Sequence, residues 1–378
     1  MEIHHVNTGK GDAIFCIFPD GTTMLIDAGH RLDPSDPRLT PSLPDDSRQP
    51  GEWLARYILR NLPHPEKKEL DYFLLTHFHG DHMGTVAEVL PRTKKGGNYI
   101  LSGLTEVAEY VPFRKLVDRA FPAYDYPRPI GGGVFRNYKS FLDWNTQNTN
   151  MQVEKFVAGT NEQFVLVNNP NKYANEFEVR NIVANLEVWT GVGNETIKHF
   201  PESFSAEQPI NENILSAGIR ISYGLFDYFT GGDISGKIPA NDVLLDAEHL
   251  VAEVIGQVEV CDANHHAWVD AMTEYFVGCV RPQVFIIQVS HAPHLNDLTL
   301  RTMASRLIYP DRRDIFATNT HELSRLYLGA STMSRVKDSD GHIVVKVKPG
   351  GDSYHVYILD ATNEESFVKA AYGPYVSR

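Results

Sequence analysis

The stretch Tyr72-Phe73-Leu74-Leu75-Thr76-His77-Phe78-His79-Gly80-Asp81-His82 combines a strand signal with a metal-ligand signal. Its apolar start has the length of a strand that is covered on both faces. Three imidazoles and one carboxylate then fall within six positions, a pattern that composition alone predicts about 0.002 times in a chain of this kind. In a turning segment, His77 and His79 project one way, and Asp81 and His82 project another. One loop can therefore serve two adjacent metal ions.

The ligand types indicate which metals are expected. Neutral imidazole and carboxylate suit zinc, manganese or iron. The three cysteines, Cys16, Cys261 and Cys279, are scattered and form no CxxC motif. They therefore predict neither a cysteine zinc site nor a disulfide framework.

The composition indicates an ordinary folded protein. The chain has 378 residues, of which 42% are hydrophobic and 22% charged, as in ordinary folded proteins. The formal net charge of −13 argues against a broad basic surface for nucleic acid or anionic membranes. It leaves open a local basic groove, or metal ions in place of basic residues. The N-terminus has no leader pattern and no apolar run reaches the ~18 residues of a membrane span, so we expect a cytoplasmic protein without a membrane segment.

The rest of the chain predicts an α/β fold of two sheets covered by helices. Ile14–Phe18 and Thr22–Ile26 flank a Pro-Asp-Gly turn and predict a hairpin. Helices are predicted at Thr85–Leu90 and near Glu106–Arg119. We interpret residues 1–378 as a single domain, with proline-rich or irregular insertions at about 30–50 and 91–150.

Further ligands are expected from loops that follow later strands. Asp233 follows a strand through Gly231 and Gly232, and a carboxylate there could bridge two cations or cap a helix. His265 and His266 follow another predicted strand. One of these two is expected to bind metal, and we favour His266 because it precedes the small residue Ala267.

These motifs together resemble the metallo-β-lactamase fold superfamily of metal-dependent hydrolases. Within it, the sequence is most similar to the soluble domain of bacterial competence DNA-uptake proteins and their free-standing relatives. The narrower likeness depends on four further segments. They are Asn7-Thr8-Gly9-Lys10-Gly11-Asp12-Ala13, Leu25-Ile26-Asp27-Ala28-Gly29, Asn213-Ile214-Leu215-Ser216 and Val280-Arg281-Pro282.

The resemblance implies a four-layer αββα sandwich with a dinuclear site at one edge of its two sheets. It implies the following ligands: His77 and His79 for the first metal, Asp81, His82 and His266 for the second, and Asp233 as the bridge. Asp27 resembles a buried carboxylate that orients a ligand, a role that metal-bound histidines usually require. Asp12 is interpreted as a structural turn residue rather than a catalytic one.

The sequence departs from the superfamily at one ligand. Many members supply another histidine between the first motif and the bridging aspartate, and here the only histidine between His82 and Asp233 is His199. The motif around His199 does not resemble that of the family. Without this ligand the first site is weaker, which favours an exchangeable ion such as manganese over zinc and leaves open whether one metal ion or two are bound.

The predicted activity is hydrolysis of phosphodiester bonds by metal-activated water, most simply as a nuclease on DNA or RNA. In this interpretation Asp81 fixes the metal-bound water. His294, in the loop after the predicted strand Val284–Val289, protonates the leaving group.

Two other functions are weighed against this one. The first is hydrolysis of a small ester, such as a phosphocholine or nucleotide ester, a thioester or a lactone, which an acidic surface tolerates more easily. The second is a non-catalytic, metal-stabilised binding module that contacts a protein partner through the 30–50 and 91–150 insertions.

Overall fold

The computed structural model of the protein describes residues 1–200, 210–236, 238–240 and 243–378. In chain order the strands are β1 (Glu2–His5), β2 (Ile14–Ile17), β3 (Thr23–Ile26), β4 (Leu70–Leu74), β5 (Phe113–Asp118), β6 (Gln152–Lys155), β7 (Phe177–Ala184), β8 (Glu187–Trp189), β9 (Thr196–Lys198), β10 (Gly218–Tyr223), β11 (Phe226–Thr230), β12 (Ile238–Ala240), β13 (Val243–Leu245), β14 (Val260–Asp262), β15 (Val284–Ile287), β16 (Asp314–Ala317), β17 (Asp338–Ser339), β18 (His342–Val347), β19 (Ser353–Leu359) and β20 (Val368–Val376). The helices are α1 (Pro50–Asn61), α2 (Gly80–Met83), α3 (Leu104–Tyr110), α4 (Gly133–Asn148), α5 (Ala247–Ile255), α6 (Glu274–Val280), α7 (Asp297–Ala304) and α8 (Glu322–Met333).

Two nine-stranded sheets contain all of these strands except the β12–β13 hairpin. The first sheet has the order β20-β19-β18-β1-β2-β3-β4-β5-β6, with β3 to β6 parallel to one another. The second has the order β17-β16-β15-β14-β11-β10-β7-β8-β9, with β11, β14, β15, β16 and β17 parallel. The first sheet thus combines the N-terminal and C-terminal parts of the chain.

Alternating side chains divide the core into three layers. In β3, Met24 and Ile26 pack between the two sheets, whereas Leu25 packs under the helices. The helices over the first sheet are α1, α3 and α4, and those over the second include α5, α6 and α7. Because successive strand residues point to opposite faces, a continuously apolar strand covers both layers at once. The predicted αββα sandwich is confirmed.

One predicted helix is only partly correct and another is wrong, for identifiable reasons. In the predicted helix near Glu106–Arg119, α3 ends at Tyr110 and β5 begins at Phe113. Pro112 lies between them, and proline disfavours helix at itself and at the preceding residue. Residues 85–90 form no helix, because α2 ends at Met83 with Gly84 as its cap, and the N–H of Thr85 donates to the carbonyl of His30 instead.

The segment 91–150 supplies more than surface loops. It contains β5, which lies inside the first sheet, and α4, whose aromatic face packs beneath that sheet.

In the part of the chain that the structure describes, no helix has the length and apolar character needed to cross a membrane.

Candidate metal centre

The first motif follows β4 directly, and the buried carboxylate of Asp27 holds it in place. Asp27 ends β3 and accepts hydrogen bonds from the N–H of Thr76 at 2.8 Å and from its Oγ1 at 2.7 Å. Its Oδ2 also lies 2.8 Å from Nδ1 of His82. The Nδ1 proton of His82 therefore faces a carboxylate, which leaves Nε2 as the free lone pair. The orienting role expected for Asp27 agrees with this geometry.

Asp233 lies at the centre of the cluster. It follows β11 through Gly232, whose φ of +55° suits glycine and whose Cβ, if present, would lie 2.8 Å from Cβ of Thr76. Its Oδ1 is 3.1 Å from Nε2 of His82 and 3.5 Å from Nε2 of His266. The glycine turn thus brings the carboxylate close enough to share ligand positions with two histidines.

The other oxygen of Asp233 faces a second group of histidines. Oδ2 lies 3.6 Å from Nε2 of His77 and 3.9 Å from Nε2 of His265. Nδ1 of His79 is 3.1 Å from Nε2 of His77. We call the seven converging residues the His/Asp cluster; they are His77, His79, Asp81, His82, Asp233, His265 and His266.

Asp12 does more than shape a turn. It is buried, its Oδ1 lies 3.0 Å from Nδ1 of His266, and its Oδ2 accepts a hydrogen bond from the Gln288 amide at 3.1 Å. The carboxylate is thus in ion-pair range of His266, although this contact lacks the hydrogen-bond geometry that joins Asp27 to His82. The expectation that Asp12 is a structural turn residue rather than a catalytic one stays a prediction, and the Gly-Asp turn also brings its carboxylate to His266. The signal was available: a buried histidine ligand needs such an acceptor.

The free atoms of the cluster fit a divalent metal. Nε2 of His82, Nε2 of His266 and Oδ1 of Asp233 are buried and have no hydrogen-bond partner. Buried polar atoms are rarely left without a partner, so such a set indicates a missing ligand. Two sets have ligand atoms within 4.8 Å of one another: Asp12, His82 and His266, and His77, His82 and Asp233.

The pKa shifts in the cluster reflect the attraction between Asp233 and the histidines around it. Burial opposes ionisation of Asp233, but the neighbouring His82 and His266 outweigh it and hold the pKa of Asp233 well below its usual range. Burial alone would lower the pKa of His82; Asp233 and Asp27 reverse this and raise that pKa well above its usual range. Without a metal, protons on the imidazoles thus supply the positive charge that Asp233 requires.

His294 lies against the cluster. It is buried, and its ring stacks on that of His266, with centroids 4.1 Å apart and planes at 11°. Its Nδ1 accepts a long hydrogen bond from the N–H of Ser290 at 3.4 Å. Burial and the proximity of His266 lower the pKa of His294 well below its usual range. The ring is therefore neutral near pH 7, with its proton on Nε2.

His199 is not brought to the cluster. It follows β9 at the edge of the second sheet, and its backbone N–H donates to the carbonyl of Leu186. Among the described residues, no ion pair or ring contact joins it to His77 or His79.

The 30–50 segment forms one wall of the site. Leu39 pairs with His291, and the N–H of Thr40 donates to the carbonyl of Ser290. Asp36 also lies 3.2 Å from Nε2 of His291. At the start of this wall, Nη1 of Arg31 lies 3.6 Å from Oδ2 of Asp81, with about a third of its side chain exposed.

The turn that carries His265 and His266 is anchored by a buried glutamate. Glu248, on α5, accepts hydrogen bonds from Nδ2 of Asn264 at 2.8 Å and from the N–H groups of Met272 and Thr273 at 2.6 and 2.8 Å. Burial raises the pKa of Glu248 to about 7. Its two oxygens therefore clamp both ends of the turn.

Glu248→Gln is expected to destabilise the metal-free protein by about 1–3 kcal/mol, because an amide N–H₂ replaces one of the acceptor oxygens and opposes a buried N–H. Urea unfolding measures this change. Glu253→Gln, on the exposed face of the same helix, is the matched control and should shift stability by less than about 0.5 kcal/mol. Equal stabilities of the two variants would contradict the anchoring role.

Part of the chain is similar in sequence to a known protein family. Residues 10–136 match the sequence model of the Metallo-beta-lactamase superfamily. A "UPF0173 metal-dependent hydrolase" from Staphylococcus carnosus (strain TM300) is 40% identical over 67 residues, which cover 18% of this chain and 25% of that protein. The match thus spans about a quarter of the length of that relative.

Solved structures also match at low sequence identity. Zn(2+)-bound PqqB from Methylobacterium extorquens has a TM-score of 0.41 and 12% identity, covering 92% of this chain and 100% of that one. The short form of human tRNase Z has a TM-score of 0.30 and 11% identity, covering 75% and 92%. The sequence match supports the superfamily for the segment that carries the first motif, whereas the likeness to competence proteins stays a prediction.

Proposed function

We propose that this chain, with the sandwich fold of the metallo-β-lactamase superfamily and that family's sequence match over residues 10–136, is a metal-dependent hydrolase of phosphodiester bonds. Within that class we propose a nuclease acting on DNA or RNA. The observation that carries hydrolase activity is the buried carboxylate of Asp233, whose two oxygens each face a different pair of histidines.

The residues that would hold the metal divide between the two oxygens of Asp233. His77 and His79 lie on the Oδ2 side, and Asp81, His82 and His266 lie on the Oδ1 side. Zinc or manganese ions suit these nitrogen and carboxylate ligands. Divalent ions bound there would supply a water of lowered pKa and neutralise the charge that develops on a phosphodiester.

The protein groups around the cluster fix its geometry. Asp27 holds His82 through a hydrogen bond at Nδ1, and Asp12 lies 3.0 Å from Nδ1 of His266. In both histidines Nε2 faces Asp233. His294 limits the rotation of His266 by stacking on it. With its proton on Nε2, His294 can also donate a hydrogen bond to a departing oxygen. We propose this donation as its catalytic role, in place of a charged imidazolium.

Arg31 is the observation that favours an anionic substrate. Among the described ion pairs, the pair of Arg31 and Asp81 is the one that joins an arginine or lysine to the His/Asp cluster. At 3.6 Å the contact is loose, and the partly exposed guanidinium is free to turn toward a ligand. A guanidinium binds phosphate oxygens through paired N–H donors. We therefore propose that Arg31 binds a substrate phosphate beside the cluster.

Arg31→Met is expected to lower kcat/KM for a phosphodiester by about 10- to 100-fold, the effect of losing one hydrogen bond to a charged group. Most of the loss should appear in KM, because the contact is made to bound substrate as well as to the transition state. Steady-state kinetics measure it. Arg38→Met is the control, since Arg38 lies on the same wall but pairs with Asp36. An unchanged kcat/KM for Arg31→Met would remove the argument for an anionic substrate.

A small phosphodiester is the second candidate substrate. The 30–50 wall lines a half-open cavity of about 430 Å³ together with Lys10, and no residue of the His/Asp cluster belongs to its lining. This volume suits a small molecule. The net charge of −13 also agrees better with a small substrate than with a long polyanion.

The test compares substrates on one preparation. Protein stripped of metal and reloaded with manganese or zinc is assayed on bis(p-nitrophenyl) phosphate, single-stranded DNA, RNA and plasmid DNA. Metal-dependent cleavage of polynucleotide supports the nuclease proposal. Turnover of the small diester alone selects the second candidate, and no turnover with either metal would overturn the proposed activity.

A further inference from the structure

We propose that His265 is the third protein ligand of the metal position formed by His77 and His79, on the Oδ2 side of Asp233. This inference rests on the proposed function, since it assigns a ligand within the same centre. The sequence offered only His199 for this place, and His199 lies elsewhere. His265 instead comes from the same turn as His266, which the sequence had favoured as the single ligand from that turn.

The backbone explains how two consecutive histidines can reach one carboxylate. His265, His266 and Ala267 have φ values of +47°, +52° and +58°, all in the left-handed region. Three such residues in a row are costly for side chains with a Cβ, and the surrounding structure must impose them. The N–H of His265 donates to the carbonyl of Gly232 at 3.0 Å, which ties the turn directly to the loop that carries Asp233.

The hydrogen bonds of His265 determine which of its ring nitrogens carries the proton. Its Nδ1 lies 2.7 Å from Oδ1 of Asp270, and its Nε2 lies 3.0 Å from Nδ2 of Asn213. The carboxylate can only accept and the amide N–H₂ can only donate. The proton of a neutral His265 is therefore on Nδ1. The lone pair on Nε2 accepts the amide N–H of Asn213 and lies 3.9 Å from Oδ2 of Asp233, so an ion bound there would take the place of this hydrogen bond. In metal sites, a ligating histidine usually donates its other ring N–H to an acceptor such as a carboxylate.

The two histidines of the turn form a matched arrangement. Asp12 stands behind His266 as Asp270 stands behind His265. Nε2 of His266 faces Oδ1 of Asp233, and Nε2 of His265 faces Oδ2. Each half of the cluster thus gains one histidine from this turn, which replaces the ligand absent between His82 and Asp233.

Metal stoichiometry tests the assignment without reference to activity. Metal-free wild type and His265→Ala are loaded with Co(II), freed of unbound ion by gel filtration and analysed for bound cobalt, and the affinities are measured by calorimetry. We expect the wild type to bind two ions. His265→Ala should bind one tightly, with the affinity of the other lowered at least 10-fold. His249→Ala, at an exposed histidine of α5, should match the wild type.

Two further measurements distinguish a wrong assignment of His265 from a wrong proposed function. Asp270→Asn keeps His265 but weakens its support, and should lower the same affinity by about 10- to 100-fold. Thermal unfolding without metal shows that each variant is folded. Unchanged stoichiometry and affinity in folded His265→Ala would overturn the assignment while leaving the proposed function intact. A wild type that binds no ion would overturn both.

Discussion

Asp233→Asn is expected to lower kcat for phosphodiester hydrolysis by about 10³-fold or more, a loss of about 4 kcal/mol in transition-state stabilisation. The carboxylate uses both oxygens, one toward His82 and His266 and the other toward His77 and His265. An asparagine keeps the shape but replaces one oxygen by an N–H₂ group. That group offers donors where a metal needs a lone pair, so one metal position is lost outright.

Kinetics with metal-loaded protein measure this effect, together with bound metal per chain. Asp352→Asn, at an exposed aspartate of the β18–β19 turn, is the control and should keep wild-type kcat. The Asp233→Asn protein should remain folded, because it loses a buried charge and no apolar contact. Retention of more than about a tenth of wild-type kcat would show that Asp233 is not shared between two metal positions.

Gly29→Ala has the second large expected effect, on stability. A Cβ at position 29 would overlap the carbonyl oxygen of Asp81 and lie 2.8 Å from Cα of Gly11. Three loops meet there through backbone alone: the N–H of Gly29 donates to Asp12, and the N–H of Asp12 donates to Asp81. Because a backbone cannot turn aside as a flexible side chain can, we expect a loss of about 3 kcal/mol or more.

Thermal or urea unfolding of the metal-free protein measures this loss. Gly131→Ala is the matched control, since a Cβ at position 131 would meet no atom within 4 Å and its backbone is not left-handed. That variant should stay within about 0.5 kcal/mol of the wild type. If Gly29→Ala were equally stable, the three loops would be less tightly joined than their hydrogen bonds indicate.

The fold could be predicted because its signals are local. The apolar run of β4 and the histidines that follow it lie in one stretch of sequence, and a strand buried on both faces indicates a sheet covered on each side. The central position of Asp233 could also be anticipated, from its place behind two glycines. Each of these inferences needs only neighbouring residues and the geometry of a strand end.

The missed features depend on contacts between distant segments. The contact of Asp12 with His266 joins two residues that lie more than 250 positions apart in the sequence. The position of His265 depends on a left-handed backbone that its own side chains disfavour and that Glu248 and Gly232 impose. The helix predicted near 106–119 is shorter than expected for a different reason: the apolar spacing is present, but Pro112 ends the helix. The roles of individual ligands stay predictions until metal is measured.

Because β1 pairs with both β2 and β18, the first sheet cannot be completed during translation until β18 has been made. β18 begins about 190 residues after β6 ends, so at 5–20 residues per second the ribosome needs roughly 10 to 40 s to make the chain between them. Throughout that interval the outer edge of β1 has no neighbour, and such an edge attracts other chains. The nascent protein is therefore most vulnerable to aggregation until β18 emerges, and chaperone dependence should be greatest in that interval.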